Sequence, residues 1–391
     1  HISIGWAMVD ITPDRPVQLM GQYYERVSEG VRDPLTATAL ALDSGRERAV
    51  IVSCDLIDAP QAVQERVRLR LASRLPGLDV AAVLMAATHT HTAPVLEDGW
   101  YPTPAADLMR TEEYVDFLVE RLVDVVVEAW DAREPGGVSW GLARAVVGHN
   151  RRVLYADGAA QMYGRTDVPS FSGIEGGRDD GVELLYTWDS GGGLTGAAIN
   201  VACPSQAVAH LSVVSADFWG EARQQLRARL TPELFVLPLC GAAGDQAPRD
   251  MVRRGRGDPD LWNRPGVAEL GCRIANAVER ALLGASAAVQ TEVVFRHTRE
   301  LLDLPARKVT PEEAGAVRAR QEVLAQQEIA SGADEDGEMR QNDQLLERYE
   351  NQGECPLYRM ELHVLRIGDV ALVTNPFELF LDYGLRIKAR S

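Results

Sequence analysis

Short unbroken apolar runs alternate along the chain with stretches whose apolar residues recur every three or four positions. This rhythm predicts strands and helices in turn. Residues 49–53 (AVIVS) and 80–87 (VAAVLMAA) carry no strongly polar interruption, the pattern of strands buried on both faces. Between them Val63, Val67, Leu71 and Leu75 share one face of a helix that Asp58 is placed to cap and Pro76-Gly77 to stop. Residues 112–132 predict a long amphipathic helix that opens at Thr111 and is ended by Pro135-Gly136-Gly137, after which 138–147 return as a strand.

The second half repeats the style less regularly. Residues 182–188 and 194–201 read as a hairpin about Ser190-Gly191-Gly192-Gly193, 216–230 as a helix, 235–239 as a buried strand and 267–283 as a helix. Thr310, Pro311 and Glu313 form a capped start for a polar helix running to about 330. A second polar helix covers 338–349. With Ser331-Gly332-Ala333 between them, the two predict a charged helical hairpin, either a solvated surface insertion or a lid. Residues 362–367 and 370–373 make a last hairpin turning at Gly368-Asp369, before a short C-terminal helix. The expectation is an α/β fold of mixed β-sheets flanked by helices, with no repeat or linker dividing 1–391 into separate domains.

Charge narrows the functions. Forty Lys and Arg stand against 57 Asp and Glu, a net charge of −17, which repels phosphate backbones and anionic membranes. Nucleic acid is therefore excluded as a general partner, and a small-molecule substrate is favoured. No apolar run approaches the roughly 20 residues that a transmembrane helix needs. The chain starts at His1 rather than Met, which points to a missing or processed natural N-terminus, and no signal peptide is visible. Cys54, Cys203, Cys240, Cys272 and Cys355 are odd in number and widely spaced, so they read as reduced thiols in a reducing, cytoplasmic setting. A homo-oligomer stays open on these grounds.

The segment Ala86-Ala87-Thr88-His89-Thr90-His91-Thr92-Ala93-Pro94 directly follows a predicted strand, at the edge where open α/β sheets bind ligands. In an extended segment His-x-His puts both imidazoles on one side. Two neutral imidazoles so placed suit a divalent cation, zinc first; the alternative is a pair of hydrogen-bonded histidines in a polar loop.

The segment THTHTAP resembles the THTHSGP segment of the neutral/alkaline (non-lysosomal) ceramidases, in their N-terminal zinc-hydrolase domain. Further landmarks follow in the same order: Asp10-Ile11-Thr12-Pro13 with Met20-Gly21, Asp55 after the first buried strand, and Asn150-Arg151-Arg152. Ser215-Ala216-Asp217 with Gly220, Gly244-Asp245-Gln246-Ala247-Pro248 and Pro376-Phe377-Glu378 complete the series. They run over essentially the whole chain. The resemblance implies a zinc ion held by two His, a Glu and a Tyr. Carried over, it makes His89 the first ligand, His91 a ligand or catalytic residue, Glu378 the carboxylate ligand and Arg151 a contact to substrate or transition state. A zinc-bound water would then attack a carbonyl.

The departures are equally specific. Where the family has its second His ligand this chain reads Ala202-Cys203-Pro204-Ser205-Gln206, so Cys203 and His210 are the nearest substitutes. The serine of Gly-Asp-x-Ser-Pro is Ala247, which removes any serine nucleophile there. The family's Tyr ligand and C-terminal immunoglobulin-like domain lie beyond residue 391 or are absent. The expected metal set is His89, His91, His210 and Glu378. The expected catalytic residues are His91, Asp55 and Arg151, with Asp55 as general base, histidine orienter or loop cap. Asn150, Asp245, Gln246 and Asp217 are expected at the substrate, with helix N-capping as the alternative for Asp217. Glu97, Asp98, Trp100, Tyr101, Tyr23 and Tyr24 pair acids with aromatics in a way that suits sugars. His149 stands beside the Asn150 segment, and His297 and His363 read as structural.

The expected function is zinc-dependent hydrolysis of an amide or ester, with a substrate other than ceramide. A carbohydrate-active hydrolase using two carboxylates among Asp55, Asp217, Asp245 and Glu378 is the second reading. A non-catalytic binding homologue is the third.

Overall fold

The computed structural model describes residues 1–327, 334–354 and 356–391. Its centre is an eight-stranded mixed sheet. Its first five strands are β1 (Ile2–Asp10), β2 (Thr36–Asp43), β3 (Arg48–Cys54), β4 (Val83–Ala87) and β5 (Glu134–Arg144). Between β5 and the return to the sheet lie four short strands, β6 (His149–Asn150), β7 (Arg152–Tyr155), β8 (Ala160–Met162) and β9 (Phe171–Ile174). The hairpin β10 (Gly181–Asp189) and β11 (Leu194–Val201) follows, then β12 (Phe235–Cys240). The strand order is β12-β11-β10-β5-β1-β2-β3-β4.

Neighbours are antiparallel except at the two edges, where β3 pairs β4 and β11 pairs β12 in parallel. A parallel neighbour needs a crossover. Helix α1 (Gln61–Arg74) supplies one between β3 and β4, and α3 (Phe218–Arg229), which follows α2 (Thr111–Asp131) in the chain, supplies the other. The sheet curls until β12 lies against β3 and β4, and the Ser53 hydroxyl donates to the Pro238 carbonyl across that closure. The carboxyl ends of β3, β4, β11 and β12, two edges of one sheet, thereby meet at one place.

Three apolar layers hold this shape. Helices α1 and α2 cover one outer face through Val63, Val67, Leu71, Leu118, Leu122 and Val126. Helix α3 and the long α5 (Arg264–Ala285), which follows the short α4 (Met251–Arg256), cover the other. The inner face carries Trp6, Leu40, Ile51, Leu84, Leu185 and Leu237. It is closed by Phe295, Leu365 and Ile367 of a second, three-stranded sheet. That sheet is β14 (Phe295–Pro305), β15 (Leu357–Ile367) and β16 (Val370–Val373); the two-residue β13 (Gln246–Ala247) pairs with β6. The architecture is the expected α/β one, mixed sheets flanked by helices.

Local details differ from expectation. The helix after β3 starts at Gln61 behind Pro60, with no side-chain cap, so Asp58 is not its cap. Residues 80–82 form a 3-10 turn rather than strand, because the Asp79 carboxylate accepts from the Ala81 amide and winds the backbone. Pro135-Gly136-Gly137 does not separate helix from strand; it lies inside β5, where Ile4 of β1 and the β10 backbone approach Gly136 too closely for a side chain. The charged hairpin consists of α6 (Pro311–Leu324) and α7 (Asp334–Asn351); the Ser331-Gly332-Ala333 turn lies outside the described residues, as does Cys355. Helix α7 rests on the 97–104 loop, with Arg340 donating to the Trp100 carbonyl and Gly337 against Tyr23. The chain closes with α8 (Leu381–Lys388). No helix among the described residues is long and apolar enough to cross a membrane.

Candidate active site

The loop after β4 alternates as its sequence does. Thr88, Thr90 and Thr92 are fully buried while His89 and His91 face the other way. Thr90 and Thr92 both donate to the Ser215 carbonyl, and Thr88 Oγ1 points to Asp55. The loop is not a simple extended strand, because His89 has φ +59, a left-handed conformation that non-glycine residues rarely take. The kink turns the two rings edge to face, with centroids 5.0 Å apart.

The two imidazoles have different free atoms. His89 donates Nδ1–H to the Ile57 carbonyl at 2.7 Å, leaving Nε2 with an open lone pair that faces Glu378 at 3.8 Å. Burial lowers its pKa, and Glu378 partly opposes the shift. His91 Nε2 accepts from the Gln206 amide at 2.7 Å, and the ring lies against the Gly21 backbone. Burial first, then His89 and Arg26, push its pKa well down.

Gln206 is oriented by a directional chain of donors. Arg151 donates from Nη1 to the Tyr163 hydroxyl at 2.8 Å, so that hydroxyl must give its own proton to Gln206 Oε1, 2.9 Å away. The Gln206 nitrogen is then left to donate to His91. Arg151 also donates to the Gly244 carbonyl and lies 4.0 Å from Glu378. Tyr163 has φ +55, and Asp217, which anchors the Gln206 loop, has φ +54. These two and His89 are the non-glycine residues with positive φ among those described, and all three serve this site. Such strain persists only where surrounding bonds over-determine the backbone.

Several expected site residues turn out to be supports. Asp55 is fully buried; it receives two bonds from Arg223, at 2.7 and 2.9 Å, and two from Thr36. With its oxygens saturated it is no general base. Asp217 is likewise fully buried, accepting from the Val208 and Phe218 amides, so it caps α3 and holds the Gln206 loop instead of touching substrate. Asn150, Asp245 and Gln246 form a buried knot: Asn150 donates to Asp245, and Asp245 accepts the Leu381 amide. That knot sets Arg151, whose amide bonds the Asp245 carbonyl, and fixes the segment after Glu378. Of the four carboxylates proposed for carbohydrate chemistry, only Glu378 is open, because Asp55, Asp217 and Asp245 are buried and bonded.

His210 does not join the pair; its ring packs on Trp262 at 4.2 Å. Cys203 is buried, its thiol pushed far up by desolvation. His149 lies 4.0 Å from Asp250. His297 and His363 hydrogen-bond each other at 2.9 Å in the second sheet, the structural role expected. Sequence reasoning missed Asp58, Tyr163 and Gln206. Asp58 keeps an exposed face, yet partial desolvation, then the Glu97 and Glu378 carboxylates, push its carboxyl up to about 6.

No family model matches the chain. The sequence is 29% identical to the neutral ceramidase of Pseudomonas aeruginosa over 199 residues, 49% of this chain and 28% of that protein. The crystal structure of neutral ceramidase from P. aeruginosa matches with TM-score 0.69 at 20% identity, over 99% of this chain and 64% of that one. A ceramidase complexed with C2 matches with TM-score 0.70 at 20% identity, over 99% of this chain and 65% of that one. The chain has a neutral-ceramidase-like fold. It spans under two thirds of the length of each of these proteins.

Against that fold, the zinc set expected here does not assemble. Zinc in an open site takes three protein donors. His89 Nε2 and Glu378 are available, but the Gln206 amide occupies His91 Nε2 and His210 points elsewhere. Among the described residues no three His, Cys, Asp or Glu side chains come together to hold a metal ion. The residues present do not fit the ion.

Proposed function

We propose that the protein hydrolyses an amide, or an ester, of a small neutral or cationic substrate. The observation that carries this reading is an open imidazole base: His89, fixed as the Nδ1–H tautomer by Ile57, presents Nε2 toward Glu378, which also lies 4.0 Å from the Arg151 guanidinium. A water held between His89 and Glu378 loses a proton to Nε2 as its oxygen attacks the carbonyl carbon. Arg151 binds the oxyanion that develops. When the carbon–nitrogen bond breaks, the proton on His89 passes to the leaving amine, which restores the neutral imidazole.

The likeness to proteins named ceramidases supports amide chemistry. Ceramide itself is disfavoured by the acidic cluster of Asp58, Glu97 and Glu378 and by the net charge of −17. The metal dependence that the resemblance implied is not carried over, for want of a third donor.

The test is a panel of short-chain N-acyl amines and esters, assayed with wild type and His89→Ala. Wild type is expected to release acid from at least one amide, and the variant to lose at least 100-fold. A variant as active as wild type would remove His89 from the mechanism. No turnover of any amide or ester would leave a binding protein.

A further inference from the structure

We infer that Arg340, on helix α7 of the charged hairpin, is a positioning residue for the histidine loop: through Trp100, Tyr101 and Gln22 it holds Gly21 against the His91 ring. Its effect on turnover rests on the hydrolase reading; its hold on the loops does not.

The hairpin is fastened at its base and braced along its length by polar bonds. The Val309 amide donates to Gln352 Oε1 at 2.8 Å, and Gln352 Nε2 returns a bond to the Val309 carbonyl at 2.7 Å. Arg320 donates twice to Glu338, at 2.7 Å each, and Gln321 donates to Asp343 at 2.7 Å. Helix α6 buries Ala314 and Leu324 alone. So narrow an apolar stripe does not set the hairpin by packing, and its polar contacts decide where it rests.

Those contacts fall on two loops of the site. Arg340 Nη1 donates to the Trp100 carbonyl at 2.9 Å, and the guanidinium stands over the Tyr101 ring, 5.8 Å from its centroid. Three residues earlier Gly337 is buried against Tyr23, where a Cβ would stand 3.3 Å from the Tyr23 Cβ. Helix α7 thus touches both the 97–104 loop and the 20–24 loop.

Tyr101 joins the two loops. Its hydroxyl donates to the Gln22 carbonyl. Burial raises the phenol's pKa, with Arg26 and Arg340 opposing the rise, so at neutral pH it keeps the proton it donates. Gln22 Nε2 donates onward to the Ala209 carbonyl at 2.9 Å. On the inner side Arg26 binds the Met20 and His91 carbonyls, at 2.8 and 2.7 Å. Gly21 lies between these anchors, so close to the imidazole that a Cβ would stand 2.5 Å from its Cγ. The His91 ring in turn meets the His89 ring edge to face at 5.0 Å. Without the outer anchor the 20–24 loop lifts, and the ring gains room to leave that contact. A misplacement of about 1 Å around a reacting group costs on the order of 100-fold in rate.

The test compares Arg340→Met, which keeps the apolar stem and loses the donors, with Arg340→Lys and Tyr101→Phe. Two readouts need no substrate. Chymotryptic cleavage after Trp100 reports release of the 97–104 loop. Hydrogen exchange of the 18–24 peptide reports on the other loop, because its Leu19 and Met20 amides bond the Arg26 and Ala93 carbonyls. Arg340→Met is expected to speed both about fivefold or more. Arg340→Lys, which keeps a donor for the Trp100 carbonyl, should restore most of the protection. Tyr101→Phe should speed exchange at 18–24 and leave cleavage within about twofold of wild type. In turnover, Arg340→Met should lower kcat about tenfold with KM within about twofold, since the loops set the centre and do not hold substrate. Faster cleavage in Arg340→Met with unchanged exchange at 18–24 would overturn the inference, because the hairpin would then brace its neighbouring loop alone. Unchanged exchange in Tyr101→Phe would overturn it too. So would a raised KM with unchanged kcat, which places Arg340 at the substrate. A wild type that turns over no amide or ester sinks the hydrolase reading and leaves cleavage and exchange to decide this one.

Discussion

Asp55 and Arg223 face each other as a closed two-bond pair, 2.7 and 2.9 Å, with both side chains at least 95% buried. The pair ties the end of β3 to α3, the crossover helix of the opposite sheet edge. It therefore braces the closure that brings the histidine loop to the Gln206 loop. Breaking a buried pair from one side leaves an uncompensated charge and costs about 3–5 kcal/mol. Asp55→Ala and Arg223→Met are each expected to lower unfolding free energy by that order in urea denaturation. The double variant should be less destabilised than the sum of the two. A single variant within about 0.5 kcal/mol of wild type, the range of ordinary surface changes, would show that the pair does not brace the fold.

Asp217 makes stability depend on pH in a definite direction. Burial raises its carboxyl from 3.8 to about 6, despite the amides of Val208, Phe218 and Ala207 that favour the charged form. Between those values the folded state binds more protons than the unfolded one, so stability falls as pH rises from about 4 to about 6. The loss on this account is at most roughly 3 kcal/mol, two pKa units at 1.36 kcal/mol each. Asp217→Asn is expected to be less stable at every pH, having lost an acceptor for one backbone amide, and to show a shallower slope through this window. Guanidinium midpoints measured at pH 4, 5, 6 and 7 decide it. An unchanged slope would assign the titration elsewhere, with Asp58 as the first suspect because it too is pushed up to about 6.

Much of the fold was legible because it is written in local periodicity. The apolar runs at 49–53 and 80–87, the latter short by the 3-10 turn at its start, and the stripes of α1 and α2 state their burial without reference to the rest of the chain. The histidine loop was legible for the same reason, as alternation of Thr and His carries over to buried and facing sides. The helix-capping alternative for Asp217 holds; what the sequence left open depends on where the sheet curls. Asp55, Asp217 and Asp245 all follow strand or loop ends, where carboxylates often meet ligands, and nothing local says that Arg223, Val208 or Leu381 will seal them. Gln206 and Tyr163, 43 residues apart, meet only because β11 and the β8–β9 turn converge on the same end of the sheet. A partial signal existed: Gln206 lies in the segment where the family's second histidine was missing, and a polar residue among Ala202, Cys203 and Pro204 invites a role.

Gly21 sets the clearance of the site from the other side. Its φ is +111, and a Cβ built on it would stand 2.5 Å from Cγ of His91 and 2.6 Å from Nδ1. Both the backbone conformation and the space therefore demand glycine. Gly21→Ala must either push the His91 ring toward Gln206 or swing the 20–24 loop outward, and Arg26 resists the second by holding the Met20 and His91 carbonyls at 2.8 and 2.7 Å. Backbone strain of this kind costs about 1–3 kcal/mol. The expected outcome is a folded protein with a lowered melting temperature and a hydrolytic rate reduced at least tenfold. His91→Gly combined with Gly21→Ala should recover part of the lost stability, because the ring and the Cβ that clash are both gone. Calorimetric melting of the three variants beside wild type measures it. If the double variant melts no higher than Gly21→Ala, the glycine is required for its conformation alone and not for its contact with His91.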